Sequence, residues 1–255
     1  MSEKREEKMT EAGEEEKLSE LEKKMGYHFH SKALLKHALC HTSWANENRL
    51  GHAGSNERLE FLGDAVLEAV SSEYLYHYYP DIPEGDLSKI RASLVCEPAL
   101  AYDARQIGLP DYLYLGRGED ATGGRHRDSV VSDAMEATIG AVFLDGGFDE
   151  AKKYILRYVM DDVEHKQLFH DSKTKLQELI QSSSESAPEY EITDEKGPEH
   201  DKTFEACVRV DGRVIGTGTG HSKKAAEQQA AYHALVSLGG RRSQDGTGIL
   251  KTQKI

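Results

Sequence analysis

Two acidic patterns in this chain could do chemistry. In Asn56-Glu57-Arg58-Leu59-Glu60-Phe61-Leu62-Gly63-Asp64, the acids Glu57, Glu60 and Asp64 recur at helical spacing. At about 100° per residue they fall within roughly 60° of one another. Lys or Arg at i,i+4 would relieve the repulsion on an ordinary solvated helix, yet Arg58 is the only such residue between Glu57 and Lys89. The second pattern lies in the stretch 129–144, which is apolar almost throughout but carries Asp133 and Glu136 at i,i+3. Carboxylates in an apolar helix are costly unless they are paired or hold a metal. If the two helices pack together, Glu60, Asp64, Asp133 and Glu136 meet in an all-oxygen cluster. Such hard donors, without His or Cys, select Mg²⁺ or Mn²⁺ over zinc. An ion of that kind keeps waters and takes phosphate oxygens, which suits hydrolysis of a phosphodiester by a metal-activated water.

The elements that must position these acids are helices. Leu59, Leu62, Val66, Val70 and Tyr74 line the apolar face of the first, with Asn56 placed to cap it and Pro80 to end it. Before it, 18–41 reads as two bundle helices separated by Gly26-Tyr27, followed by Trp44 as a core anchor. After Pro80, 87–106 reads as one or two helices broken near Glu97-Pro98, on which Lys89 and Arg91 either face phosphates or are simply solvated. A Gly-rich, partly basic loop, 115–127, precedes the second acidic helix; it is either an RNA-touching loop or a connector. It has no Gly-Lys-Ser/Thr ending, so no nucleotide cofactor is expected. Asp145-Gly146-Gly147 closes that helix, and 148–163 supplies a last one.

A polar linker over 164–171 then separates a second module in which the periodicity changes. A helix from Thr174 to Gln181 precedes three strands, 190–193, 203–210 and 213–218, with Asp211-Gly212 as a hairpin turn. An Ala-rich helix capped by Ser222 ends the module. Lys223 and Lys224 put two cations at its N-terminus, where the dipole already favours anions. That combination makes a phosphate site. The fold class expected is therefore α+β and multidomain: an all-α helical domain followed by a small α-β-β-β-α domain.

Composition bounds the rest. The chain has 255 residues, 38% hydrophobic and 30% charged, with a net charge of −13. No apolar run approaches the about 20 residues of a membrane span, and no signal-peptide core is present, so a cytoplasmic protein with no membrane partner is expected. Three scattered cysteines lack metal or disulfide spacing and fit a reducing compartment. The acidic balance is unusual for a nucleic-acid binder, but the placement of Lys and Arg matters more than their sum. Part of it lies in the Glu/Lys-rich segment 1–17, expected to be a disordered or frayed helical tail; 239–255 is expected to be a disordered tail.

The stretch 56–64, together with Glu84-Gly85-Asp86-Leu87-Ser88-Lys89-Ile90-Arg91-Ala92 and Asp133-Ala134-Met135-Glu136-Ala137, resembles ribonuclease III over roughly 18–238. The second module, from Gly197-Pro198-Glu199-His200 to Ala231, resembles a double-stranded-RNA-binding domain. The resemblance implies a catalytic domain over 18–163 and an RNA-binding domain over 172–238. It implies a homodimeric endoribonuclease that cuts both strands of double-stranded RNA, leaves 5′-phosphate and 3′-hydroxyl ends, and processes ribosomal and other structured RNA precursors. Glu60, Asp133 and Glu136 would hold Mg²⁺, with Mn²⁺ as a substitute. Asp64 and Glu136 would be the residues whose loss stops cleavage, and Glu57 a supporting acid. Gln177 and Gln181 would meet 2′-hydroxyls in one minor groove, His200 would enter the next, and Lys223 and Lys224 would bridge phosphates. Two other readings compete. A non-catalytic RNA-binding protein would need a degraded acidic cluster. A di-iron carboxylate bundle would need Glu-x-x-His pairs, which neither Glu57-x-x-Glu60 nor Asp133-x-x-Glu136 supplies.

Overall fold

The computed structural model describes residues 3–161, 163, 166, 172–182, 186–197, 202–220 and 222–244, with the side chains of 3–12 and 239–244 excluded. The chain forms two units, Met1–Val163 and Glu164–Ile255. The first is a mostly helical domain and the second a small domain of three antiparallel strands with helices, which is the α+β class read from the sequence.

In the first unit the helices are α1 (Glu3–Met25), α2 (Lys32–Ala38), α3 (Thr42–Glu47), α4 (Glu57–Tyr78), α5 (Glu84–Val95), α6 (Glu97–Gln106), α7 (Arg117–Ala121), α8 (Asp128–Gly146) and α9 (Phe148–Tyr158). Helix α8 is the axis of the core. Val131, Ala134, Met135, Ala137, Ile139, Ala141 and Val142 are fully buried on it, because α4, α6, α9 and α2 pack around it. Burying a side chain such as Met135 or Ile139 contributes about 1.5–3 kcal/mol. Its hydroxyls bond within the helix, Thr138 Oγ1 donating to Ala134 O at 2.8 Å.

Closeness between α4 and α8 comes from two glycines. A Cβ added to Gly63 would overlap the backbone carbonyl of Glu136, and one added to Gly140 would overlap that of Leu59. Bare backbone at these two positions lets the helices touch, and so brings the acid-bearing segments of α4 and α8 side by side. At the far end of α8, the buried Asp145 carboxylate accepts hydrogen bonds from Tyr27 Oη, His30 N and Ser31 N at 2.8–2.9 Å. These bonds tie the start of α2 to the end of α8 and hold the Asp145 carboxyl below the usual carboxylate range despite burial.

Several local expectations change. Asn56 does not cap α4 with its side chain: its own backbone is helical, it is buried, and its Nδ2 donates to Ala38 O at 3.2 Å. Of the two states expected for the tail over 1–17, the helical one is found, from Glu3, as its Glu, Lys, Arg, Met and Ala content favours. Glu14 fastens it down, accepting from Lys36 Nζ and Tyr114 Oη at 2.7 Å each. The loop 115–127 contains α7 and a 3₁₀ turn at Gly124–His126, and two of its arginines, Arg125 and Arg127, bond within the unit. Arg125 reaches the carbonyls of Pro110 and Leu113, and Arg127 pairs with Glu119 at 2.6 Å.

The second unit comprises α10 (Ser172–Gln181), β1 (Glu189–Lys196), β2 (Thr203–Val210), β3 (Arg213–Gly220) and α11 (Lys223–Gln244). The sheet order is β1-β2-β3, both pairs antiparallel. Asp211 and Gly212 both take positive φ, 51° and 73°, as a type I′ hairpin turn requires. Gly216, Gly218 and Gly220 alternate toward α11, where any Cβ would collide with the helix at Ala225, Ala226, Ala230 or Ala234. Small residues on both partners thus seat the helix directly on β3. Leu176, Val208, Ala230 and Ala231 complete this core. Helix α11 runs to Gln244, so the tail expected over 239–255 is helical in its first residues; 245–255, like most of the linker at 164–171, lies outside the described residues.

Candidate metal centre

The crossing of α4 and α8 gathers three carboxylates. Glu60 from α4 and Asp133 and Glu136 from α8 each offer an oxygen, and these three oxygens lie within 4.8 Å of one another. All three residues are half-buried. Asp133 and Glu136 share a face by their i,i+3 spacing, and Glu60 lies one turn before Gly63, the contact point with Glu136.

Electrostatics record the cost of this convergence. Burial, followed by the charges of Asp64, Asp133, Glu60 and Glu68, pushes the Glu136 carboxyl up to about 8. Glu60 is raised too, by burial first and then by Asp133, Glu57 and Asp64. Asp133 is raised by burial and by Glu97, with His41 and a hydrogen bond from Ser132 acting against the rise. No Lys or Arg among the described residues acts on any of the three. The donor set is all oxygen and its charges share one sign, offset in part at Asp133 by His41, so the residues present fit a hard divalent cation.

The remaining sequence candidates fall as follows. Asp64 and Glu57 are exposed on α4 and do not belong to the triple; the charge of Asp64 acts on Glu60 and Glu136, and that of Glu57 on Glu60. The Glu57 carboxylate accepts from Ser55 Oγ at 2.8 Å. Glu68, one turn beyond Asp64, is drawn to Arg91 at 2.7 Å, and Arg91 also donates to Ser72 Oγ, so Arg91 makes an internal link between α4 and α5. Lys89 pairs with Asp86 at 2.9 Å. In the second unit Gln177 and Gln181 stand exposed one turn apart on α10. Lys223 and Lys224 are exposed at the start of α11, where Ser222 Oγ accepts from Ala225 N at 3.1 Å. His200 lies outside the described residues.

Phe61 was not singled out by the sequence reading. Its side chain is 79% exposed beside Glu60, on a face away from the Leu59, Val66 and Val70 core. The available signal was its phase: it falls outside the apolar row of α4, and a large exposed aromatic in that position calls for a partner.

Comparison with known proteins covers both units. A ribonuclease-III-like family profile matches residues 31–163, and a double-stranded RNA binding motif matches residues 172–238. The chain is 49% identical over 230 residues to "Ribonuclease 3" of Desulforamulus reducens, covering 89% of this chain and 94% of that protein. It is 43% identical over 225 residues to the protein of the same name from Bacillus velezensis, covering 88% and 90%. Among solved structures, the nuclease domain of ribonuclease III from Campylobacter jejuni superposes with a TM-score of 0.52 at 44% identity, covering 56% of this chain and 96% of that one.

Proposed function

The chain belongs to the ribonuclease III family, and from that premise we propose that it hydrolyses double-stranded RNA with Mg²⁺ held by Glu60, Asp133 and Glu136. It is an endoribonuclease with a nuclease domain and a double-stranded-RNA-binding domain. The observation that carries the finer reading is the convergence of three half-buried carboxylate oxygens on which no Lys or Arg of the described residues acts. When bound, a divalent ion supplies an activated water and neutralises phosphate oxygens, and Mn²⁺ would do the same on these donors.

The chain's own residues supply the rest. Gly63 and Gly140 set the spacing of the donors, and Asp64, exposed beside Glu60 and Glu136, is placed to accept or pass on a proton at the edge of the cluster. Glu57 extends the acid stripe toward solvent. In the second unit, Gln177, Gln181, Lys223 and Lys224, together with His200 outside the described residues, are the residues assigned to duplex RNA. Lys223 and Lys224 meet phosphates at a helix N-terminus.

One cluster of this kind cuts one strand, so cutting both strands requires two copies related by symmetry. Exposed Phe61, on the same helix as Glu60, offers a contact for the second copy. The Campylobacter structure is described as showing flexibility in a region involved in dimer formation, which supports the same reading here. Cleavage leaving 5′-phosphate and 3′-hydroxyl ends, on ribosomal and other structured precursors in the cytoplasm, follows from the family. No described helix is long and apolar enough to cross a membrane. The test is one gel: duplex and single-stranded RNA, each with Mg²⁺ and with chelator. Cutting of the duplex alone, and only with Mg²⁺, is expected; cutting in chelator, or equal cutting of single strands, would overturn the assignment.

A further inference from the structure

The RNA-facing tip of α11 already carries an anion of its own. Glu195, near the end of β1, places Oε1 3.0 Å from Lys223 Nζ and Oε2 3.6 Å from Lys202 Nζ. One carboxylate therefore joins three elements: the end of β1, the residue before β2, and the first turn of α11. The pairing is built into the sheet. Glu195 lies opposite Phe204 in the β1–β2 register, and the Lys223 ammonium sits 5.7 Å from the centre of the Phe204 ring, so the lysine stem crosses that ring to reach the acid. The hydrogen bond from Lys223 is the main reason the Glu195 carboxyl sits below the usual range. Lys224, next in sequence, makes no ion pair among the described residues. The side chains of Lys223 and Glu195 are 60% and 39% exposed, so the bridge is open to competition.

We propose that Glu195 sets the affinity of the second unit for duplex RNA: its carboxylate stands where a phosphate would bridge Lys202 and Lys223, and RNA binds by displacing it. This rests on the reading of Lys223 as a phosphate contact. Two consequences follow. Within a polyanion, neighbouring phosphates hold one in the bridge against Glu195, whereas an isolated phosphate must compete alone with a carboxylate tethered beside the two lysines. Displaced Glu195 recruits a cation from solution, which offsets part of the counterion release that drives binding. The salt dependence of the native chain is then shallower than its number of phosphate contacts implies, by up to about one ion.

The experiment uses the full-length chain and a labelled duplex RNA in chelator, with binding followed by fluorescence anisotropy across a salt series. Glu195→Gln should tighten binding about two- to five-fold at about 0.1 M salt and steepen the salt slope. Glu189→Gln is the control: it removes an exposed acid six residues back on the same strand, about 20 Å away and beyond screening distance, and should change nothing. The gain from Glu195→Gln should vanish in a Lys202→Met, Lys223→Met background. A gain that survives there means Glu195 merely repels RNA, and overturns the proposal, as does no gain at all. Lys223→Met weakening binding while Glu195→Gln has no effect would sink this inference alone. Lys223→Met with unchanged binding would sink the RNA-contact reading beneath it.

Discussion

The α4–α8 crossing and the tip of α11 handle charge in opposite ways. At the crossing, three half-buried carboxylates share one sign, and among the described residues no Lys or Arg acts on them, His41 alone easing Asp133. At the tip, exposed lysines share a carboxylate from their own sheet, so much of the charge is balanced before any ligand arrives. Burial explains the division. Unbalanced charge in a half-buried setting perturbs its own ionisation strongly, so an ion that relieves it is bound selectively. Exposed charge is cheap to balance and cheap to unbalance, which suits a surface that must take and release a long polyanion. On the proposed function, the first region would govern cutting and the second how tightly RNA is held.

The sharpest way to break this comparison is to separate the two activities. Glu136→Gln should lower cutting by at least about 10³-fold, since a positioned ion supplies several kcal/mol of transition-state stabilisation. Duplex binding should stay within about two-fold, because the lysine tip is untouched. Lys224→Met should do the reverse at about 0.1 M salt, weakening binding by several-fold for one lost phosphate contact while cutting recovers at low salt. Initial rates and anisotropy on the same preparations check both. A Glu136→Gln chain that still cuts, or a Lys224→Met chain with normal affinity, would dissolve the division.

A smaller effect is expected from Gly63→Ala. The added methyl collides with the Glu136 carbonyl, so α4 and α8 must part by a fraction of an ångström. Overpacking of this kind costs about 1–3 kcal/mol. Melting should move down by a few degrees, and the Mg²⁺ concentration for half-maximal cutting should rise because Glu60 retreats from Asp133 and Glu136. Gly118→Ala, where a Cβ meets open space, is the matched control and should leave the metal requirement unchanged.

What the sequence could tell follows the same physics. The stripe of Glu57, Glu60 and Asp64 was legible because helical period alone places them on one side, and the hairpin at Asp211-Gly212 because few other pairs accept two positive φ angles. That α4 meets α8 depends on tertiary packing, and its signal, Gly63 opposite Gly140, has meaning only once the partner helix is known. Asn56 was misread as a cap because its side chain is chemically able to cap, and only the fold shows it turned to Ala38 instead. Arg125 and Arg127 looked available for phosphate because glycine and arginine together describe both a grasping loop and a clamped one. The inward carbonyls of Pro110 and Leu113 decide between them.

The smallest predicted effect concerns pH, and it compares the regions without any RNA. Glu136 sits up to about 8, and Glu60 and Asp133 are raised in the same direction. A carboxyl raised on folding holds its proton more tightly in the folded chain, so between about 8 and its unfolded value the folded state binds more protons, and stability rises as pH falls. Glu14, Asp145 and Glu195 are shifted down, and their contributions are lost only as pH drops through the ordinary carboxylate range and below, outside a window of about 5.5–8. In chelator, melting should therefore climb by about 2–4 °C from pH 8 to pH 5.5, the shift that about 1 kcal/mol gives a chain of this size. Glu136→Gln should melt higher at pH 8 and show a flatter climb, since burial of the charged carboxylate, followed by like-charge repulsion, is the source of the slope. Saturating Mg²⁺ should reverse the trend, because the ion takes the deprotonated oxygens and stabilises most where they are ionised. Melting that falls toward pH 5.5 in chelator, or climbs equally in the Glu136→Gln chain, would show that the three acids do not feel one another as the crossing requires.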